Sequence, residues 1–290
     1  MIPMSLDALV ARHGETAAAW VARLPELIAS YAARWSLSVL GPLEDSGSAA
    51  WVGAATRADG VDVVLKLAWP HPEAATEAAG LRFFDGRGAV RLLEADEAEF
   101  ALLLERCVPG QDVWSLEFGE ANSVAVDVLQ RLWRTPAVSV APIRTLAETV
   151  DDWNSTYSAT RGDYPPSLIS EAGRVGSQLA ASTSQYVVVH GDFNPFNVLR
   201  AKREPWLAID PKPLVGDPAY DLAQYLANYL DAAVESGDPK RFYREAIAFF
   251  AHELGLDPHR IAAWAFVKAV GWNWGPRTAQ LFLEIANHQA

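Results

Sequence analysis

Val187-Val188-Val189-His190-Gly191-Asp192-Phe193-Asn194-Pro195-Phe196-Asn197-Val198-Leu199 runs three apolar β-branched residues into a polar loop and leaves it through a second apolar pair. That is the pattern of a buried strand whose end presents side chains to a cleft. The loop carries Asp192 and, five residues on, Asn197. Thirteen residues beyond Asn197, a second apolar run, Trp206-Leu207-Ala208-Ile209, delivers Asp210. Two carboxylates and an amide are thereby brought to the ends of neighbouring strands.

Phosphoryl transfer from ATP needs such a set. One carboxylate accepts or orients the proton of the acceptor hydroxyl. An amide oxygen and a second carboxylate hold magnesium on the phosphates. The Asp-x-x-x-x-Asn spacing is that of a kinase catalytic loop, with Gly191 where protein kinases carry arginine. His-Gly-Asp alone would be weak, because Gly-Asp is a common turn pair and a solvated loop would explain it. The apolar strand ending in Asp210 favours the chemical reading.

Length and composition bound the rest. The 290 residues suffice for one large or two ordinary domains. Half are hydrophobic and about a fifth charged, as in a globular protein. Acidic residues exceed basic ones 36 to 24 without an acidic tail or a basic stripe. That distribution argues against nucleic acid and anionic membrane as partners and suits a cationic small-molecule ligand. Cys107 is the single cysteine, so no intrachain disulfide or Cys-rich metal site exists. There is no secretory signal pattern and no apolar run of membrane-spanning length, so the expected location is the cytoplasm.

Residues Glu15 to Trp35 have the spacing of an amphipathic helix. Trp35 to Leu43, Ala49 to Thr56 and Val61 to Leu67 read as strands, with Ala58-Asp59-Gly60 as a hairpin turn. Pro70 to Phe84 reads as a helix, and Ala89 to Glu94 and Glu99 to Arg106 as two further strands. Val108-Pro109-Gly110 breaks the chain and sets the expected boundary: residues 1–107 form a nucleotide-binding lobe, and residues 108–290 a catalytic and substrate-binding lobe. In the second part helices are expected near Trp114–Trp133, Leu146–Thr160, Ser167–Ser184, Ala219–Val234, Lys240–Leu254 and Pro258–Trp274.

No Walker motif and no Gly-x-Gly-x-x-Gly is present. Lys66 lies in an apolar strand between Leu65 and Leu67, so its side chain points opposite to theirs. Burying it is costly without a partner; ATP phosphates and a carboxylate supply one. Glu77 is a candidate carboxylate. Glu73, one helical turn earlier on the same face, is its rival. The Ser46-Gly47-Ser48 turn is placed to cover phosphates through backbone amides.

Lys66, Glu77, Leu103-Leu104-Glu105-Arg106, the His190–Asn197 loop, Ile209-Asp210-Pro211-Lys212 and Gly216-Asp217-Pro218-Ala219-Tyr220-Asp221 resemble, in this order, the aminoglycoside phosphotransferase family. Ile209–Lys212 and Phe83-Phe84-Asp85-Gly86-Arg87-Gly88-Ala89-Val90 look most like its streptomycin 6-kinase and hydroxyurea kinase branch. The resemblance implies an α+β, protein-kinase-like two-lobe fold: a small antiparallel-sheet lobe with one helix, and a mostly helical lobe. It implies ATP and Mg2+ as cofactors, Asp192 as catalytic base, and Asn197 and Asp210 as magnesium ligands. Lys66 would pair with Glu77 and the α/β-phosphates, and backbone groups from Glu105 to Cys107 would hold the adenine. Asp217 and Asp221 would be structural, capping the helix near Ala219 and tying down the catalytic loop. Phe196 departs from the small residue that family members often carry there. Lys212 is open between a phosphate contact and a surface salt bridge. His190 is read as holding the loop in shape.

The expected activity is ATP-dependent phosphorylation of a hydroxyl on a small cationic molecule such as an aminoglycoside, giving antibiotic resistance, by a monomer. The alternatives are a kinase of a sugar, amino-alcohol or choline-like metabolite and, in a different class, a pseudokinase regulator. For the acceptor, the acids Asp151, Asp152, Asp231, Glu235 and Glu284 and the indoles of Trp153, Trp272 and Trp274 are the candidate cation site.

Overall fold

The computed structural model describes residues 5–43, 49–136, 140–160 and 163–287. Its first half is built on a five-stranded sheet. Helices α1 (Ser5–His13) and α2 (Glu15–Arg34) lead into β1 (Leu37–Pro42), β2 (Ala50–Arg57) and β3 (Asp62–Ala68). After helix α3 (Ala74–Phe84) come β4 (Leu92–Asp96) and β5 (Ala101–Glu105). The strand order is β1-β2-β3-β5-β4, antiparallel throughout. Gly60, at φ 83, closes the β2–β3 hairpin, where Arg57 N donates to Val61 O at 2.9 Å.

Strand alternation divides the sheet into two faces. Trp51, Leu65, Leu67 and Ala101 pack under Leu6, Leu9, Trp20, Leu24 and Tyr31 of α1 and α2. Val64, Leu102 and Leu104 face the other way into the main core. Lys66 lies in register with Val52 and Leu102, in the middle of the sheet. Burying this many apolar residues on both faces, at roughly 1.5–3 kcal/mol each, makes the central strand rigid.

The expected elements are present with local shifts. Helix α1 was not anticipated. The strand expected over Ala89–Glu94 begins at Leu92 instead. Ala89 and Val90 turn away from the sheet, where Val90 N donates to Ala208 O and Ala208 N donates to Gly88 O, at 3.0 and 2.8 Å. These bonds tie the chain after α3 to the strand that leads to Asp210.

The second half is mostly helical. A 3-10 turn (Val113–Ser115) precedes α4 (Phe118–Leu132). Then follow β6 (Arg144–Thr145), α5 (Leu146–Thr160), α6 (Pro166–Ala181) and β7 (Val187–Val189). A second 3-10 turn (Pro195–Asn197) opens β8 (Val198–Arg200), which pairs with β9 (Trp206–Ala208). Strand β10 (Leu214–Gly216) lies between β6 and β7. The chain ends in α7 (Ala219–Ala227), α8 (Leu230–Glu235), α9 (Pro239–Leu254), α10 (Pro258–Gly271) and α11 (Pro276–Asn287). The single helix expected over Ala219–Val234 is thus two, separated at Asn228 and Tyr229. Every residue of α10 from Ile261 to Gly271 is buried, as an all-apolar helix requires, and one of them is a lysine.

Candidate active site

The loop after β7 is held by its backbone. Gly191 has φ 82, and a Cβ there would stand 1.8 Å from the Lys212 carbonyl oxygen, so only glycine fits. Asp221 Oδ2 accepts from His190 N at 2.9 Å, and its Oδ1 accepts from Gly191 N at 2.8 Å. Trp133 Nε1 donates to the same carboxylate at 2.9 Å. Asp217 accepts from Ala219 N at 3.0 Å, and from Trp264 Nε1 and Arg260 Nε, both at 2.8 Å. So Asp221 ties down the loop while Asp217 caps α7. His190 is fully buried; burial lowers its pKa, and its Nε2 lies 2.9 Å from Ile209 O. This geometry fits a loop-shaping histidine.

Inside the loop, Asn194 Oδ1 accepts from Phe196 N and Asn197 N at 3.0 and 3.2 Å, forming the 3-10 turn that aims Asn197. Asn197 Nδ2 donates to Asp192 O at 3.0 Å. That leaves the amide oxygen of Asn197 as its outward group. Ile209 N donates to Asn197 O at 2.9 Å, which places Asp210 beside Asn197. Asp210 is at φ 56, a left-handed conformation that turns its carboxylate out of the strand line.

Lys66 Nζ bridges the two halves. It donates to Glu77 Oε1 at 2.7 Å and to Asp210 Oδ1 at 2.5 Å, with Lys66 only 7% exposed. Burial opposes the Lys66 ammonium, but Asp210 and Glu77 outweigh it and its pKa is raised. One ammonium serves two carboxylates unequally. Burial pushes Glu77 up to about 7 against the pull of Lys66. Asp210 is held at about 2, because Lys66, with Lys212 and His190, together outweigh its desolvation. Glu73, the rival partner, lies instead 3.5 Å from Lys212 Nζ. A Cβ on Gly80 would fall 2.7 Å from Pro213, so α3 docks closely on the segment after Asp210.

Lys212 Nζ donates to Asp192 Oδ2 at 2.9 Å and stands over the Trp272 ring at 5.0 Å. Of the two expectations for Lys212, the ion pair is present, made with Asp192 and Glu73 in the cluster rather than at the open surface. Lys268 was missed entirely in the sequence reading. Its sequence signal is a cation inside the apolar run Ile261–Gly271. It is fully buried, and its Nζ donates to Gly191 O at 2.9 Å.

At the junction of the two halves, the Glu105 carboxylate is held by Arg203 at 2.9 Å and its backbone N–H donates to Arg91 O at 3.0 Å. Cys107 is half-buried, and burial pushes its thiol up to about 12, which makes it a poor nucleophile. Ser46, Gly47 and Ser48 lie outside the described residues.

The candidate acceptor acids are not gathered into one site. Asp152 pairs with Arg144 at 2.7 Å, and Glu284 with Lys240 at 2.5 Å. Asp231 and Glu235 are exposed on α8, and Trp153 stacks on Tyr220. Trp272 does border the centre, beneath Lys212 and Lys268. Beside the catalytic loop stands an unanticipated aromatic pair: Phe196 (46% exposed) and Trp114 (41%), with ring centroids 5.1 Å apart.

Among the described residues no cluster of three or more His, Cys, Asp or Glu could by itself hold a metal. Asn197 and Asp210 supply hard oxygen donors that fit magnesium, an ion that takes one or two carboxylates and completes its shell with phosphates and water.

Residues 34–273 match the profile of the family described as aminoglycoside/hydroxyurea antibiotic resistance kinase. The chain belongs to this family. Streptomycin 6-kinase of Streptomyces griseus is 35% identical over 266 residues, covering 88% of this chain and 83% of that protein. Hydroxyurea phosphotransferase of Kitasatospora aureofaciens is 35% identical over 275 residues, covering 93% and 78%. Among solved structures, choline kinase LicA of Streptococcus pneumoniae aligns at TM-score 0.63 and 13% identity, over 92% of this chain and 99% of that one. An aminoglycoside phosphotransferase in ternary complex with ADP and hygromycin B aligns at TM-score 0.55 and 13% identity, covering 90% and 96%. The fold of this kinase is therefore the protein-kinase-like α+β arrangement expected from its sequence. It is a phosphotransferase acting on a hydroxyl of a small molecule. No described helix is long and apolar enough to cross a membrane.

Proposed function

We propose that this kinase moves the γ-phosphoryl group of ATP, bound with magnesium, to a hydroxyl of a cationic aminoglycoside of the streptomycin type, and that the modification confers resistance. The observation that carries this reading is the meeting of Lys66, Glu77, Asp210 and the loop that bears Asp192 and Asn197, four separate chain segments joined by hydrogen bonds. The 35% identity to streptomycin 6-kinase over most of both chains points to the acceptor.

In this account Asp192 accepts the proton of the acceptor hydroxyl as the oxygen attacks the γ-phosphorus. Lys66, oriented by Glu77, holds the α/β-phosphates. Backbone groups of Glu105 to Cys107 receive the adenine. Asn197 and Asp210 would hold magnesium, which when bound neutralises phosphate charge. Asp210 is suited to that role because it stays ionised to about pH 2. The nucleotide lobe ends at Cys107 and the catalytic lobe begins at Val108. All these groups come from one chain, which supports a monomer, and ATP as donor supports action in the cytoplasm.

A second reading has its own support. The hydroxyurea phosphotransferase is as similar as the streptomycin kinase, and two of the acids considered for a cationic acceptor are already paired with Arg144 and Lys240. A small neutral acceptor such as hydroxyurea would need none of them. ADP release measured with streptomycin, hydroxyurea, choline and a neutral sugar separates the two readings. The primary reading expects turnover with streptomycin to exceed the others, and preferential use of hydroxyurea would replace it.

A further inference from the structure

Lys268 is an ammonium with no exposure to solvent, placed in the buried helical run Ile261–Gly271, which is otherwise apolar. Its hydrogen-bond partner is a carbonyl, Gly191 O, and its charge rests against the rings of Tyr220 at 4.2 Å and Trp272 at 5.1 Å. Burying a lysine on such terms is unfavourable unless the site uses the charge. The carbonyl it binds belongs to the peptide that joins Gly191 to Asp192. On the other side of Gly191, the backbone N–H donates to buried Asp221. A buried cation and a buried anion thus grip the same glycine from its two ends, and Asp192 follows directly.

We propose that Lys268 is a positioning residue. Together with Asp221 it clamps the backbone at Gly191 and fixes the direction in which Asp192 meets the acceptor hydroxyl. Glycine at 191 makes such a clamp necessary. It has no side chain to restrain it, its φ of 82 is open to glycine, and it must thread past Lys212 O. Lys268 lies 77 residues away in sequence, on the most deeply buried helix, and so ties loop geometry to the core. The inference rests on the assignment of Asp192 as the group that meets the acceptor.

The test is Lys268→Met, which keeps the length and apolar fill while removing charge and donor. Replacing a buried ion by a well-packed apolar chain is often neutral or stabilising, so the melting temperature should stay level or rise. Turnover should fall roughly ten- to hundred-fold from misplacement of the base, with KM for ATP nearly unchanged. Amide hydrogen exchange across residues 187–199, a readout independent of activity, should accelerate. Wild-type-like turnover or wild-type-like loop exchange in folded Lys268→Met overturns the proposal. If the wild type phosphorylates nothing while the variant loosens the loop, the functional reading fails and the clamp stands. If Lys268→Met does not fold, the wild-type pH profile decides. The charged groups acting on Lys268 are Asp192 in the loop, Asp221 on α7, Lys212 after β9 and Glu73 before α3, and burial brings its pKa down to about 8. Turnover should then drop above that pH, and a flat profile through it contradicts the clamp.

Discussion

Lys212 Nζ lies 2.9 Å from Asp192 Oδ2, so the carboxylate assigned to receive a proton begins ion-paired to an ammonium. Burial weakens that ammonium, but the carboxylates around it, Asp192 and Glu73 foremost, together outweigh the effect and the Lys212 pKa is raised. Charge arriving on a γ-phosphoryl group would draw the ammonium away and free the Asp192 carboxylate. Lys212→Met should therefore lower turnover about ten- to hundred-fold by removing a preorganised cation. Steady-state kinetics check it; turnover raised above wild type would mean that Lys212 only restrains the base.

Asp192→Asn keeps the shape and removes the proton acceptor. Turnover should fall by about two orders of magnitude or more, with nucleotide affinity retained. Isothermal titration with ATP alongside a turnover assay separates the two effects.

Asp210→Ala removes one of two carboxylates competing for Lys66. The Lys66–Glu77 bond at 2.7 Å remains, so the unliganded protein should melt close to wild type. Magnesium-dependent stabilisation by ATP should disappear. An unliganded melting point far below wild type would make Asp210 a structural residue.

Lys66 and Glu77 act as a unit in the buried cluster. Removing Lys66 leaves buried Glu77 without its partner, at roughly 3–5 kcal/mol, and removing Glu77 leaves Lys66 with Asp210 alone. Mutating both should then cost ATP use little more than mutating either. Additive losses in the double-mutant cycle would contradict the pairing.

The stability of this kinase should also report Lys268. Its pKa is lowered from 10.5 to about 8 by burial. A depressed lysine pKa gives stability that is present above the unfolded value and lost as pH falls through the folded one. Between pH 7 and 10 the wild type should therefore gain on Lys268→Met, by up to about 3 kcal/mol. Chemical denaturation at the two pH values measures the difference; equal gaps would place the folded pKa near its ordinary value.

How much of this was legible in the sequence follows from distance along the chain. Asp192, Asn197 and Asp210 lie within one short strand-loop-strand unit, so spacing alone grouped them. Strand alternation oriented Lys66. Glu73 and Glu77 look equivalent by spacing, but Glu73 precedes α3 and meets Lys212 while Glu77, inside it, meets Lys66, a tertiary fact. Arg144 and Lys240, invisible as partners in the sequence, are paired with the candidate acceptor acids Asp152 and Glu284. Strands β6 and β10 have two and three residues, too few for a period. A cation inside the apolar run Ile261–Gly271 marks Lys268 in the sequence, but its partner, Gly191 O, lies 77 residues away and no local pattern names it.

The central claim is most directly tested by mass spectrometry of streptomycin incubated with ATP, magnesium and the enzyme. The account predicts a product heavier by one phosphate with the wild type and almost none with Asp192→Asn. No phosphorylated product from the wild type, or the same yield from both proteins, would contradict it.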